Sequence, residues 1–337
     1  MKKIFNLIAS FVLLAGFSAC NKDGSDKPGL PPAPAPTVNY KGLTFISSGK
    51  STVCLAKVGA PDEITLEYST DESQWNPYTI GEKISMADGS FLLFRAGEQK
   101  NLTFSKGSDS YYHFEISGPV TAQGNIMSLL DRDFSTPLST NAFFALFEGC
   151  TSLLSAPELP ATTMEQGCYF RMFAECTGLK SAPELPAKEL AYNCYGWMFK
   201  GCSALTYVPD LPATEMVSYC YNNMFANCTS LKFAPELPAT RLDMGCYHCM
   251  FEGCTSLTSA PELPATELVS NCYEFMYKDC RNLRYVIGLF TTEPSEKTTK
   301  DWLSGVAASG TFIKSKKATW DVTSAHGVPE GWKIETW

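Results

Sequence analysis

Between residues 126 and 290 the apolar positions follow two local rhythms. In the stretch from Cys194 to Cys202, Cys194, Met198 and Cys202 stand four apart, with Tyr195 and Phe199 four apart beside them. That spacing predicts one apolar face of a short helix. In the stretch from Ala204 to Ala213, Leu205, Val208 and Leu211 recur at threes around Pro209 and Pro212. This predicts a short extended segment ending in a turn. Strand pairing is limited there, because proline has no N–H to give a ladder.

The two rhythms repeat as a unit. Cys176, Cys202, Cys228, Cys254 and Cys280 are each 26 residues apart, as are Cys168, Cys194, Cys220, Cys246 and Cys272. Phe173, Phe199, Phe225 and Phe251 keep the same interval. Five units without an insertion or deletion predict a solenoid, in which each coil buries its apolar face only against its neighbours. The cysteine and phenylalanine columns are its expected core. A short strand, a turn and a helix per coil is the leucine-rich-repeat plan. Ala142-Phe143 and Leu146-Phe147 occupy the same columns as a degenerate first helix. Residues 291–337 stop repeating, and Trp302, Phe312, Trp320 and Trp332 are suited to capping the open end.

Residues 38–125 read differently. Runs such as Ser51–Gly59, Phe91–Gly97 and Tyr111–Gly118 are short, rich in β-branched and aromatic residues, and separated by Gly, Asp and Ser. They predict a small β-sandwich, with a hairpin turning at Thr70–Ser73. Trp75, Tyr78, Tyr111 and Tyr112 are candidates for a sugar-stacking platform, against the commoner role of strand aromatics in packing. The expected fold class is therefore multi-domain α+β: an N-terminal all-β sandwich, a strand–turn–helix leucine-rich-repeat solenoid over 126–290, and a cap over 291–337.

The first residues set a compartment. Met1-Lys2-Lys3 precedes an uncharged run from Ile4 to Ala19 and then Cys20. The run is too short to be a good spanning helix and has the form of a secretory signal over 1–19. Phe17-Ser18-Ala19-Cys20 resembles a lipoprotein signal, which makes Cys20 the expected lipid anchor. Residues 20–37 alternate Pro and Ala and predict an extended tether. The net charge is −8 with no basic stripe, so nucleic acid is not an expected partner.

Candidate chemistry is sparse. Glu158, Glu184, Asp210, Glu236 and Glu262 form an acidic column, a candidate binding face for a basic partner or otherwise a solvated edge. The repeat cysteines are too far apart within one unit to pair, since eight helical residues span about 12 Å. They are expected to be small buried thiols, with linked pairs as the alternative. Cys246, His248, Cys249 and Cys254 crowd together, but two of them are repeat positions, so neither a zinc site nor a thiol protease is expected. With three histidines and no phosphate loop or nucleophile elbow, the chain is read as non-enzymatic, with no cofactor and no metal.

Met-Phe-x-x-Cys-Thr-Ser-Leu-x-x-Ala-Pro-Glu-Leu-Pro-Ala-Thr resembles the BspA-like leucine-rich repeats of Bacteroides-type surface lipoproteins, in a Pro-Glu-Leu-Pro branch with a 26-residue unit. The segments from Tyr68 to Leu130 and from Trp302 to Ile334 resemble the domains that flank such arrays. The resemblance implies an outer-membrane lipoprotein exposed at the cell surface, held to the membrane by its N-terminal lipid. It also implies adhesion, or binding of an extracellular protein or glycan. The alternative is a glycan-capture protein in which the β domain binds and the repeats are a spacer.

Overall fold

The computed structural model describes residues 40–99, 102–320 and 326–337; Cys20 and the tether lie outside the described residues. Val38–Trp337 is one compact unit. Its first part contains β1 (Thr44–Ser47), β2 (Ser51–Val58), β3 (Leu66–Ser69), β4 (Asn76–Tyr78), β5 (Ile84–Met86), β6 (Phe91–Ala96), β7 (Ser105–Gly107), β8 (Ser110–Ser117) and β9 (Val120–Gln123). One sheet runs β9-β1-β6-β3-β4 and the other β5-β2-β8-β7. Alternate residues of each strand point inward. Phe45 of β1 meets Phe114 of β8 at 5.0 Å, edge to face, across the gap between the sheets. The β3–β4 hairpin is closed by Asp71, whose carboxylate accepts from the N–H groups of Ser73 and Gln74.

The repeats contain no α-helix among the described residues, and this corrects the expected α+β class and its strand–turn–helix coil. The stretches read as helices, Asn141–Gly149 included, are chains of tight turns. Every fourth residue has positive φ: Gly167, Arg171 and Glu175 in one coil, then Asn193, Trp197 and Gly201, then Tyr219, Asn223 and Asn227. Alternate N–H groups divide the bonding. Phe170, Met172, Ala174 and Cys176 donate three residues back, closing turns. Tyr169, Arg171, Phe173 and Glu175 donate to the next coil, to carbonyls 25 residues on. Within these stretches each backbone donor thus has a partner, half of them in the next coil, where a helix would have kept them within itself.

The opposite side of each coil is nearly straight but rarely pairs as a regular strand. Isolated bridges join Ser181 to Tyr207 and Glu215 to Arg241. The recurrent prolines remove donors here, as their positions predict. Regular pairing returns only at the ends. β10 (Leu153–Ser155) lies parallel to β9, which extends the first sheet into the array. β11 (Ser259–Leu263), β12 (Tyr285–Gly288), β13 (Thr311–Lys314) and β14 (Lys333–Thr336) form a parallel sheet at the far end. Trp302, Phe312, Trp320 and Trp332 are buried against it.

A single apolar core runs from Leu43 to Trp332. At the sandwich–array junction Phe114 stacks on Phe147 at 5.2 Å, and the Cys150 thiol donates to the Phe114 carbonyl. No core boundary falls near residue 125.

Candidate functional site

The invariant columns point inward. Phe147, Phe173, Phe199, Phe225, Phe251 and Tyr277 stack face to face, 5.3–5.7 Å apart. Tyr169, Tyr195, Tyr221, Tyr247 and Tyr273 stack beside them at 5.7–6.0 Å. Ring faces are therefore consumed by neighbouring rings and are not open to a ligand.

The thirteen described cysteines are free and buried. Cys176, Cys202, Cys228, Cys254 and Cys280 each donate S–H to the carbonyl of a column phenylalanine 29 residues earlier, at 3.0–3.2 Å. A thiol here fills a small apolar space and satisfies a carbonyl of the preceding coil. Burial pushes the Cys194 and Cys254 thiols up to about 12, and it raises Cys168, Cys176, Cys202, Cys220, Cys228, Cys246 and Cys280 further. Cys272 is pushed up to about 12 for the same reason. Such thiols are poor nucleophiles.

The four aromatics considered as a sugar platform are not brought together. Tyr78 is buried, its hydroxyl accepting from the Leu55 N–H and donating to the Glu82 carbonyl. Tyr112 is buried and donates to the Asp62 carbonyl. Trp75 precedes β4 in one sheet, with the Arg95 guanidinium 3.7 Å over its ring. Tyr111 is in the other sheet, packed on Phe144.

The acidic column stands where the 26-residue register places it. Glu158, Glu184, Asp210 and Glu236 are exposed, and Glu262 is half-buried. Burial, and then the neighbouring Glu236 charge, raise the Glu262 carboxyl above the usual carboxylate range. On the same straight side Lys180, Thr206, Lys232, Thr258 and Arg284 form an exposed column. Phe233, next to Lys232, is 61% exposed, the most open large apolar side chain described.

On the turned side, the residues that vary from coil to coil gather the remaining chemistry. Asn222, His248 and Glu274 share one column, 26 residues apart. His248 Nδ1 lies 3.1 Å from Asn222 Oδ1, which also accepts from Asn223 Nδ2 at 2.6 Å. His248 Nε2 faces Glu274 Oε2 at 3.6 Å and Cys249 Sγ at 3.8 Å. Glu252 adjoins Cys249 and lies 3.5 Å from Lys278 Nζ. Burial lowers His248 despite the two glutamates, and burial and then Glu252 raise the Cys249 thiol.

The crowded quartet in the sequence is thereby split. Cys246 and Cys254 belong to the inner columns, whereas His248 and Cys249 face the turned rim. The sequence reading missed Glu274, Glu252 and Asn222 as neighbours of His248, although the repeat interval alone sets Asn222 and Glu274 on either side of it.

No family model matches the chain, and neither a curated protein nor a solved structure gives a match.

Proposed function

We propose that this protein is a non-enzymatic, lipid-anchored surface module that binds an extracellular protein or glycan along the straight side of its repeat array. The observation that carries the reading is the division of labour within each coil. Recurrent Cys, Tyr, Met and Phe fill the core, while the straight side sets out long parallel ribbons of exposed side chains. Tyr207 and Phe233 share one column on that side, Lys232 precedes Phe233 in the exposed basic column, and Asp210 and Glu236 belong to the acidic column, so apolar and charged positions alternate along it, a mixture that suits protein binding. The buried, protonated thiols argue against cysteine chemistry. The resemblance to BspA-like surface lipoproteins supports display at the outer membrane through Cys20. A glycan-capturing sandwich gains no support from Tyr78 and Tyr112, whose rings are in the core.

The test uses the full mature chain, because sandwich and array share a core. It is screened on arrays of extracellular-matrix proteins and glycans, beside a variant carrying Lys232→Glu and Phe233→Ser. A ligand should bind the native chain and lose at least about tenfold in affinity with the variant, the scale of one lost anchor. Equal binding by both chains would overturn the assignment to this side.

A further inference from the structure

We propose that the column Lys180, Thr206, Lys232, Thr258 and Arg284 binds a linear acidic glycan that carries one carboxylate on every second sugar. This ligand class rests on the straight side being the binding side, as proposed above.

The column alternates cation and hydroxyl, coil by coil, and all five side chains are exposed. No ion pair holds Lys180, Lys232 or Arg284 among the described residues. Elsewhere in the array Arg171, Arg241 and Lys278 each pair with a glutamate. Lysine and arginine are charged at any pH of interest, so the three cations depend on no assumed protonation. Another column also alternates by two coils: Glu175, Asn227 and Asp279 with Gly201, Gly253 and Gly305. There a Cβ on each glycine would strike the preceding coil's side chain, so packing requires the alternation. In the open cation column packing requires nothing of the kind.

The spacing selects the ligand. Thr206 N–H donates to the Lys180 carbonyl at 3.0 Å, and Arg284 N–H to the Thr258 carbonyl at 3.0 Å, so these neighbours meet as strands do. At a strand spacing of about 4.8 Å, cations two coils apart are about 10 Å apart. In an extended, equatorially linked glycan, each pyranose ring with its bridging oxygen advances the chain by about one strand spacing. Carboxylates on alternate sugars therefore meet Lys180, Lys232 and Arg284 in turn. The neutral sugars between them face Thr206 and Thr258, whose hydroxyl oxygens can accept from sugar O–H groups. Tyr207 and Phe233, one residue beyond this column, offer ring surface to the apolar edge of the sugars.

Charge favours a thin ligand over a broad one. Glu184 and Glu236 follow Lys180 and Lys232 by four residues, about 13 Å along an extended chain. That exceeds the screening length of about 8 Å at physiological ionic strength. A single-file polyanion can lie on the cations clear of the acidic column. A broad acidic protein surface would set its own carboxylates against that column.

The test is calorimetric titration of the full mature chain, at about 50 mM salt, with hyaluronan fragments, in which glucuronate alternates with N-acetylglucosamine. The hexasaccharide has a carboxylate for each cation and should bind more tightly than the tetrasaccharide. An uncharged β-1,4-linked N-acetylglucosamine hexamer should bind at least about tenfold more weakly than the acidic hexasaccharide, as befits the loss of three ion pairs. Lys180→Gln, Lys232→Gln and Arg284→Gln should each weaken the hexasaccharide about 2–5-fold, the scale of one exposed ion pair. A double variant, Lys232→Gln with Thr206→Lys, keeps the charge but moves it by one coil, and should bind as weakly as Lys232→Gln alone. Equal binding of the uncharged hexamer, affinity unchanged in the three glutamine variants, or full affinity in the shifted variant would each overturn the proposal. A polyglutamate peptide that binds more tightly than the hexasaccharide, and is lost in Lys232→Gln, would put an acidic protein in place of the glycan and leave the straight side as the binding side. No binding of the hexasaccharide, beside an array ligand that Lys232→Glu with Phe233→Ser releases, would overturn the glycan alone. No binding of the hexasaccharide, beside an array ligand that this variant keeps, would overturn the side as well.

Discussion

The sandwich and the array bury aromatic residues equally well but close their backbones differently. In the sandwich, side chains alternate with period two and hydrogen bonds run between antiparallel strands, such as β1 with β6 and β9. Phe45, Phe94 and Phe114 meet edge to face, each from a different strand. In the array the period is four, bonds alternate between turns and the next coil, and like stacks on like. The sandwich is held by unlike neighbours that cover one another. The array is held by copies, so a defect in one coil is a defect in the contact surface of two others.

Phe225→Ala tests that difference most severely. Emptying this site should cost about 3–5 kcal/mol, the usual range for a buried aromatic. Its ring contacts Phe199 at 5.7 Å and Phe251 at 5.7 Å, so protection from hydrogen exchange should fall in both adjoining coils. Phe94→Ala in the sandwich should cost a similar amount. Because Phe114 stacks on Phe147, its damage should reach the first coils as well. Loss confined to the coil of Phe225 would break the picture of a mutually supporting stack. Loss that stops at residue 125 in Phe94→Ala would mean that the two parts have separate cores.

The next effect is smaller and belongs to the turns alone. Gly245 has φ of +59°, and a Cβ there would clash with the Tyr219 ring. Gly245→Ala should therefore destabilise by about 1–3 kcal/mol, combining left-handed strain with a clash. The reverse change is available at Glu175, exposed with φ of +60°. Glu175→Gly should stabilise by up to about 1 kcal/mol, because glycine adopts this conformation without the Cβ penalty. In a helix the same change would cost about 1 kcal/mol. The sign of that one measurement by denaturant unfolding separates the turn coil from the helix.

That contrast also explains what could be read from the sequence. The columns were legible because burial depends on register, and a 26-residue interval fixes register without knowledge of the coil's shape. Cys194, Met198 and Cys202 face the core in either conformation: four-residue spacing drifts only about 40° per step on a helix, which keeps three positions on one face. The coil's conformation was hidden by the same tolerance. The discriminating signal lay one position earlier, in Asn193 and Gly201, Asn223 and Asn227, Gly245 and Gly253, Asn271 and Asp279. Residues that enter the left-handed region easily, placed at steps of four, are wrong for a helix interior and right for repeated turns. Arg171, Trp197 and Phe275 hold positive φ without such help, so the signal is diluted. The rim cluster was legible in part. The interval sets Asn222, His248 and Glu274 in one column, but the approach of Cys249 and Glu252 depends on the turn geometry.

The smallest expected effect compares two members of one column. Glu184 is exposed, and Glu184→Ala should change stability by less than about 0.5 kcal/mol. Glu262 is half-buried, and its carboxyl is raised by burial and by Glu236. A carboxyl whose folded value lies above its unfolded value binds its proton more tightly in the folded chain. Its contribution therefore favours folding below the unfolded value, near about 4.3 for a free glutamate, and is lost as pH rises through the folded value. Above that, the ionised group opposes folding. Glu262→Gln should accordingly raise stability at neutral pH and flatten the stability–pH curve in the window just above the ordinary carboxylate range. Denaturant midpoints of the native chain and of Glu262→Gln, measured from about pH 4 to about pH 7, read this effect. A Glu262→Gln curve that runs parallel to that of the native chain would mean that Glu262 does not sense Glu236.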